Sequence, residues 1–142
     1  MKTESIGILN LDKPPGRTSR DIVNQVARLL PRKTKAGHAG TLDPMATGVL
    51  VVCIGSATRL IENIQRQGKT YRTVIRLGAR SDTHDCDGVV VKTIDPRPAS
   101  TSEIEAALAT QRGEILQQPP EYSALKIEGR RAYDLARAGL PV

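Results

Sequence analysis

A twelve-residue stretch, residues 37–48, combines residue types that could perform chemistry. It holds three glycines, two threonines, one histidine and the acid Asp43, and it runs directly into the apolar residues 49–54. Glycine lets a backbone or a ligand approach closely because it has no side chain, and a buried strand after the loop would hold it rigidly. Asp43 is the only acid between Asp21 and Glu62. A lone carboxylate on such a loop is a candidate nucleophile or general base.

Each of these residues also has a simpler structural interpretation. Proline disfavours the α region for the residue before it, so the pair Asp43-Pro44 suits an ordinary turn as well as an active-site loop. His38 could hydrogen-bond within the loop, or its flat ring could stack on or displace a base in an RNA site. Tyr71, which follows the basic Lys69, is the best of the three tyrosines for stacking or proton transfer.

The elements that would position this loop follow from hydrophobic periodicity and turn signals. Residues 6–11 form an apolar run closed by the turn sequence 12–16, which predicts a strand. Thr18 or Ser19 would cap a helix that ends at Pro31. The apolar residues of that helix share a 3.6-residue spacing: Ile22, Val23, Val26, Leu29 and Leu30.

The remainder of the chain continues to mix short strands and helices. After the strand at 49–54, the pattern predicts a helix from Ser56 or Thr58, a strand at 71–77, an acidic turn at 81–88, a return strand at 89–94, a helix from Thr101, strands at 115–116 and 122–127, and a helix at 130–138. Because hairpin-like pairs outnumber regular βαβ units, we expect an α+β fold with a mixed, largely antiparallel sheet flanked by helices.

Composition narrows the class of partner. The 142 residues carry 21 basic and 15 acidic side chains, a net charge of +6, which favours a polyanion such as nucleic acid although charge alone does not decide it. The two cysteines, Cys53 and Cys86, lack the spacing of a zinc site and are expected to be reduced thiols. Neither a signal peptide nor a membrane-spanning run is expected, so we predict a cytoplasmic protein.

Two further motifs can be set aside. Residues 67–70 end like a phosphate-binding loop, but Asn63 stands where the first glycine is needed. Residues 82–88 resemble part of a calcium loop, but the twelfth position would be Ile94 instead of a bidentate glutamate. We therefore expect no metal, and interpret residues 82–88 as a turn or a hydrogen-bonding anchor.

Four segments, taken in order, resemble the motifs of the TruB-type tRNA pseudouridine synthases. Residues 9–19 (LNLDKPPGRTS) look like the opening motif of that family, and residues 37–48 resemble its catalytic GHTGTLDPxATG motif, with Ala39 replacing the more usual threonine. Residues 69–88 are similar to the segment KxY…LG…TDTxDxxG, and residues 118–137 to QxPPxYSAxKxxGxxxYxxAR. The resemblance covers residues 6–139, and four ordered motifs are highly specific.

The resemblance implies that uridine in the T-loop of tRNA, at position 55, is converted to pseudouridine without any cofactor. Asp43 matches the essential aspartate, which attacks the nucleoside or abstracts a sugar proton; Tyr71 matches the tyrosine that packs on the flipped base, and His38 the histidine that helps displace the uridine. Lys13 lies in the opening motif, whose role looks more structural than chemical. The substrate-binding set implied for this chain is His38, Gly40, Thr41, Arg59, Lys69 and Tyr71.

The resemblance also implies a partner and a domain boundary. The partner is the T-arm of tRNA, with phosphate contacts from basic residues near the loop, and neither a membrane nor an obligatory protein partner is implied. Members of the family extend further, so residues 1–142 are expected to be the N-terminal portion of the catalytic domain. The remainder of that domain, including an arginine that pairs with the catalytic aspartate, and an RNA-binding module would then lie outside. A catalytically impaired fragment or an RNA-binding remnant is the alternative, and the sequence does not determine the oligomeric state.

Overall fold

The computed structural model describes residues 5–93 and 97–117, together with residues 126, 127, 129–131, 135 and 138. The chain divides into two compact units, Met1–Thr73 and Val74–Val142. The α+β prediction is confirmed, since short helices accompany antiparallel strand pairs in both units.

The first unit is built on a three-stranded antiparallel sheet. Strands β1 (Gly7–Lys13), β2 (Ala36–His38) and β3 (Gly48–Ile54) lie in the order β1-β3-β2. The predictions of strands near residues 6–11 and 49–54 are therefore confirmed. Strand β2 was not predicted, because its three residues, Ala-Gly-His, are too few to show a period.

Helix α1 (Ser19–Arg28) covers one face of this sheet. Of the two predicted caps, Thr18 and Ser19, Thr18 is the N-cap, and it forms a capping box with Asp21. Because side chains alternate along a strand, Leu9 and Leu11 of β1 share a face with Val52 and Leu50, their partners in β3. The buried cluster against the helix is formed by Ile22, Val23, Leu50 and Val52, with Leu9, Leu11, Val26, Ala36 and Leu42 packed around it.

The helix predicted to start at Ser56 or Thr58 begins slightly earlier and with tighter winding. A 3₁₀ helix spans Gly55–Leu60, and α2 (Ile61–Gln65) continues it. The Thr58 hydroxyl donates a hydrogen bond to the carbonyl oxygen of Gly55 at 2.8 Å, which stabilises this first turn.

The strand predicted at residues 71–77 is wrong. Residues 71–76 form no regular element, and Val74 and Ile75 are 95% and 71% exposed. A strand needs a neighbour that accepts and donates its backbone hydrogen bonds. Among the residues that the structure describes, none pairs with this segment, so alternation alone does not produce the strand.

The second unit begins with a short hairpin around the acidic turn. Strands β4 (Ala79–Ser81) and β5 (Val90–Lys92) pair antiparallel, so the return strand predicted at 89–94 forms over three residues, while Ile94 lies outside the described residues. Asp82 Oδ1 accepts hydrogen bonds from the backbone N–H groups of Thr83 and Val89, at 3.0 and 2.9 Å. The prediction of a hydrogen-bonded turn at residues 82–88 is confirmed.

The helix predicted from Thr101 is confirmed, and two later predictions need correction. Helix α3 spans Thr101–Ala109, with Ser100 as N-cap. Residues 115–116 form no strand and are exposed. Strands β6 (Lys126–Ile127) and β7 (Arg130–Arg131) form a tight hairpin, so the helix predicted at 130–138 does not start at Arg130. Residues 122–125, within the strand predicted at 122–127, lie outside the described residues.

The contacts at the start of α3 predict that the stability of this helix depends on pH. Both guanidinium nitrogens of Arg97 donate to Glu103, and the backbone N–H and hydroxyl of Ser100 also donate to it, which together lower the pKa of Glu103 from 4.5 to about 2. Because the folded pKa is the lower one, the stabilising contribution is complete above pH 4.5 and is lost as the pH falls towards 2.

The carboxyl ¹³C shift of Glu103, followed by NMR, should therefore titrate with a midpoint near 2. In the variant Arg97→Met, which removes the largest cause of the shift, the midpoint should move towards 4.5. A wild-type midpoint already at 4.5 would contradict the interaction.

Candidate active site

The loop that carries Asp43 connects β2 to β3 in the first unit. Its central turn is closed by a hydrogen bond from the N–H of Ala46 to the carbonyl oxygen of Asp43 at 3.0 Å, with Pro44 in the second turn position. Proline favours that position because its φ is fixed. Both interpretations of Asp43-Pro44 are thus compatible: the pair forms a turn, and the turn presents an exposed carboxylate.

The residue before Asp43 is held by helix α1. The hydroxyl of Ser19 donates to the carbonyl oxygen of Leu42 at 3.0 Å and accepts from its N–H at 2.9 Å. The side chain of Leu42 packs against the buried cluster of the first unit. Leu42 is therefore fixed through both its backbone and its side chain.

The residue after Asp43 is held from the opposite direction, by the turn that follows β1. The carbonyl oxygen of Pro44 accepts hydrogen bonds from the N–H of Gly16 at 2.8 Å and from Nζ of Lys13 at 3.1 Å. Gly16 adopts a φ of +76°, a backbone conformation that residues other than glycine rarely adopt. The carboxylate of Asp43 thus projects from a backbone that is anchored on both sides.

Lys13 is fully buried, with an exposed fraction of 0%. Its ammonium group donates to three carbonyl oxygens, those of Pro14 (3.0 Å), Arg17 (2.7 Å) and Pro44 (3.1 Å). An ammonium has three N–H donors and no acceptor, so each donor has a partner. Lys13 joins the turn after β1 to the start of α1 and to the Asp43 loop, which is a structural role.

The ring of His38 bonds within the loop. Its Nδ1 lies 2.6 Å from the carbonyl oxygen of Gly40. Because a carbonyl can only accept, Nδ1 must carry the proton, and in the neutral ring Nε2 is then the acceptor nitrogen. Gly40 itself has a φ of +132°, which only glycine adopts without strain. The ring is therefore fixed in orientation and half-buried, and its Nε2 makes no hydrogen bond within the described residues.

The remaining predicted site residues are exposed and less constrained. Thr41 lies in the loop beside Gly40, Arg59 in the 3₁₀ helix after β3, and Tyr71, which is 68% exposed, in the irregular segment. The ammonium of Lys69 donates to the carbonyl oxygens of Gln65 and Gln67, so it caps the C-terminal end of α2. The structure thus brings His38, Gly40 and Asp43 into one anchored loop, but it does not order Tyr71 against them.

The charged and metal-binding surroundings of Asp43 are sparse. In the parts of the chain that the structure describes, the carboxylate of Asp43 has no ion-pair partner, and no three potential metal ligands cluster together. Within the same described residues, none of the helices has the length and apolar character needed to cross a membrane.

Ser19 also belongs to the site through its bonds to Leu42, although the sequence predicted it only as a possible helix cap. A signal for a buried lysine was present: Lys13 has the same parity in β1 as the inward-facing Leu9 and Leu11, so it falls on the covered face of the sheet. Ser19 carried no such signal, since its partner Leu42 is 23 residues away.

Comparison with known proteins shows which family the chain resembles. Residues 28–142 match the family model described as TruB family pseudouridylate synthase (N terminal domain). Proteins named tRNA pseudouridine synthase B are similar over most of the chain. The relative from Cereibacter sphaeroides is 54% identical over 133 residues, covering 94% of this chain and 44% of the relative.

Relatives from two further organisms give the same result. The relative from Gluconacetobacter diazotrophicus is 50% identical, covering 94% of this chain and 43% of its own length. The relative from Geobacillus kaustophilus is 49% identical, covering 96% and 48%. The chain therefore spans a little under half the length of the relatives it matches.

Proposed function

The chain belongs to the TruB family of pseudouridylate synthases, and from this premise we propose that it carries the aspartate-bearing part of an enzyme that converts uridine 55 in the T-loop of tRNA to pseudouridine. The observation that carries the proposal is the anchored loop: Leu42 and Pro44 are held by separate elements, while the carboxylate of Asp43 between them is exposed. A fixed backbone with an accessible acid is what a nucleophile or base requires.

The proposed reaction proceeds in three stages. First, the N1–C1′ bond between base and sugar breaks; second, the base turns and a C5–C1′ bond forms; third, the C5 proton leaves to solvent while N1 takes up a proton. Asp43 either attacks the nucleoside or removes a sugar proton to start the sequence. His38 assists displacement of the uridine from the T-loop, and Tyr71 packs on the flipped base and assists removal of the C5 proton.

Extrusion of the base costs free energy, which contacts between the protein and the tRNA must supply. Taking a nucleotide out of a folded RNA costs about a few kcal/mol, and contacts to the surrounding phosphates can offset it. Arg59 is exposed and has no ion-pair partner among the described residues, which leaves its guanidinium available to a phosphate of the T-arm. Lys69 is a weaker candidate, because two carbonyl oxygens already accept hydrogen bonds from its ammonium.

We place the enzyme in the cytoplasm, acting without an obligatory protein partner or cofactor.

Tritium release tests this proposal. The complete reading frame that contains residues 1–142, here called the whole protein, should release tritium from tRNA transcripts labelled with [5-³H]uridine, at one equivalent per tRNA. A transcript with cytidine at position 55 should give no release. Release that persists with this transcript would contradict the T-loop assignment.

One observation favours the alternative, an RNA-binding remnant or catalytically impaired fragment. The carboxylate of Asp43 has no ion-pair partner among the described residues, whereas the resemblance implies an arginine partner. If residues 1–142 alone bind tRNA in a salt-sensitive manner but release no tritium, while the whole protein releases it, the fragment has binding without catalysis. Release by residues 1–142 alone would exclude the alternative.

A further inference from the structure

The hydroxyl of Ser19 makes hydrogen bonds that are unusual for a serine in a helix. Ser19 is the first residue of α1, it is only 3% exposed, and it is one of two buried polar or charged side chains among the described residues, the other being Lys13. Its hydroxyl uses its single proton on the carbonyl oxygen of Leu42 and one lone pair on the N–H of the same residue. Both backbone polar groups of Leu42 are therefore satisfied by one side chain.

The helix does not need this hydroxyl. The N-terminus of α1 is capped by Thr18, whose hydroxyl accepts from the N–H of Asp21, while the carboxylate of Asp21 accepts from the N–H of Thr18. Serine at the first helical position is also no better a helix former than alanine. The two bonds of Ser19 serve the loop that lies 23 residues further along the chain.

The geometry links these bonds to Asp43. The carbonyl oxygen of Leu42 belongs to the same planar peptide unit as the nitrogen of Asp43. A hydrogen bond to that oxygen therefore fixes the plane from which the Cα of Asp43 projects. On the other side of Asp43, the carbonyl oxygen of Pro44 accepts hydrogen bonds from Lys13 and Gly16. The backbone is therefore fixed before and after Asp43, which sets the direction of its side chain.

We propose that Ser19 is a positioning residue for Asp43, so that loss of its hydroxyl lowers turnover without weakening tRNA binding. The inference rests on the proposed function of Asp43. Ser19 is buried under the loop and does not reach the surface, so a direct contact between Ser19 and RNA is not part of the inference. A misplacement of a reacting group by about 1 Å can cost on the order of 100-fold in rate.

The test compares Ser19→Ala with Thr18→Ala in the whole protein. Both variants alter the start of α1 by one side chain, but only Ser19→Ala removes the bonds to Leu42. We expect Ser19→Ala to lower kcat for tritium release by about 10- to 100-fold, with KM for tRNA changed less than about twofold. Thr18→Ala, which removes the cap and lowers Tm, should keep kcat within about threefold of the wild type. Rates are expressed per folded molecule, measured by circular dichroism.

Three outcomes would overturn the proposal: equal loss of kcat in the two variants, a wild-type kcat in Ser19→Ala, or failure of Ser19→Ala to fold at all, which would make Ser19 a general structural residue. Amide hydrogen exchange of Leu42 separates this proposal from the proposed function. It should accelerate in Ser19→Ala but not in Thr18→Ala, whether or not the wild type is active. If the wild type releases no tritium, the proposed function and the positioning of a catalytic Asp43 by Ser19 both fail, and Leu42 exchange alone then decides whether the hydroxyl holds the loop.

Discussion

Replacing Lys13 with methionine is expected to lower the free energy of unfolding of the first unit by roughly 2–4 kcal/mol. Methionine keeps an unbranched apolar stem of similar length but has no donor, so the carbonyl oxygens of Pro14 and Arg17 lose the ammonium that satisfies them. A hydrogen bond to a charged group contributes about 1.5–3 kcal/mol, and because Pro14 and Arg17 are exposed residues, water replaces part of the two lost bonds. The carbonyl oxygen of Pro44 keeps the N–H of Gly16, so it contributes less to the loss.

Arginine should not replace Lys13 either. Its donors form a planar fork, whereas the three carbonyl oxygens around Lys13 surround a compact ammonium. Lys13→Arg should therefore lose stability as well, although it retains the charge.

Amide hydrogen exchange in β3, which lies at the centre of the sheet in the first unit, measures this effect directly. Protection of the Leu50 and Val52 amides should fall by the equivalent of about 2–4 kcal/mol in Lys13→Met. Lys92→Met, which changes an exposed lysine of β5, is the matched control and should stay within about 0.5 kcal/mol of the wild type. Unchanged protection in Lys13→Met would show that the buried ammonium contributes no net stability.

The elements that the sequence predicted well are those set by local patterns. Helix α1 has an N-cap and the apolar residues Ile22, Val23 and Val26 of a 3.6-residue repeat within its own bounds, and β1 and β3 have apolar runs bounded by turn residues. The predicted end of that helix at Pro31 is wrong, since the helix ends at Arg28 and Leu29 is 86% exposed. Strand β2 has only three residues and shows no period. Residues 71–77 have the period of a strand but no partner among the described residues, so the local pattern predicted a strand that does not form.

The site divides in the same way. Candidate residues could be named from the sequence, because His38, Gly40 and Asp43 lie within one short motif. The contacts that anchor the motif could not, since Lys13 and Ser19 reach Pro44 and Leu42 from 31 and 23 residues away. Such contacts depend on the packing of α1 and β1 against the loop, which no local pattern encodes.

Asp43→Asn is expected to reduce tritium release by roughly 10⁴-fold or more, the scale seen when a residue essential for the chemical step is removed. Asparagine has nearly the same shape as aspartate, and the loop is held through backbone atoms of Leu42 and Pro44, which the substitution leaves intact. The amide can neither attack the nucleoside nor accept a sugar proton. The loss should therefore fall on kcat, while the affinity for tRNA stays within about threefold of the wild type.

A matched control separates chemistry from charge. Glu62→Gln makes the same carboxylate-to-amide change at an exposed position of α2 in the same unit. It should retain wild-type kcat. Equal losses in Glu62→Gln and Asp43→Asn would indicate a general electrostatic effect instead of a role for one carboxylate.

The central claim is that the carboxylate of Asp43 performs the chemical step from an anchored loop. Single-turnover tritium release, with the whole protein in excess over [5-³H]uridine tRNA, tests it most directly because binding and product release do not limit the rate. We predict complete release by the wild type and by Glu62→Gln, and no release above background by Asp43→Asn under conditions where that variant binds all of the tRNA. Release by Asp43→Asn at a rate within tenfold of the wild type would contradict the account.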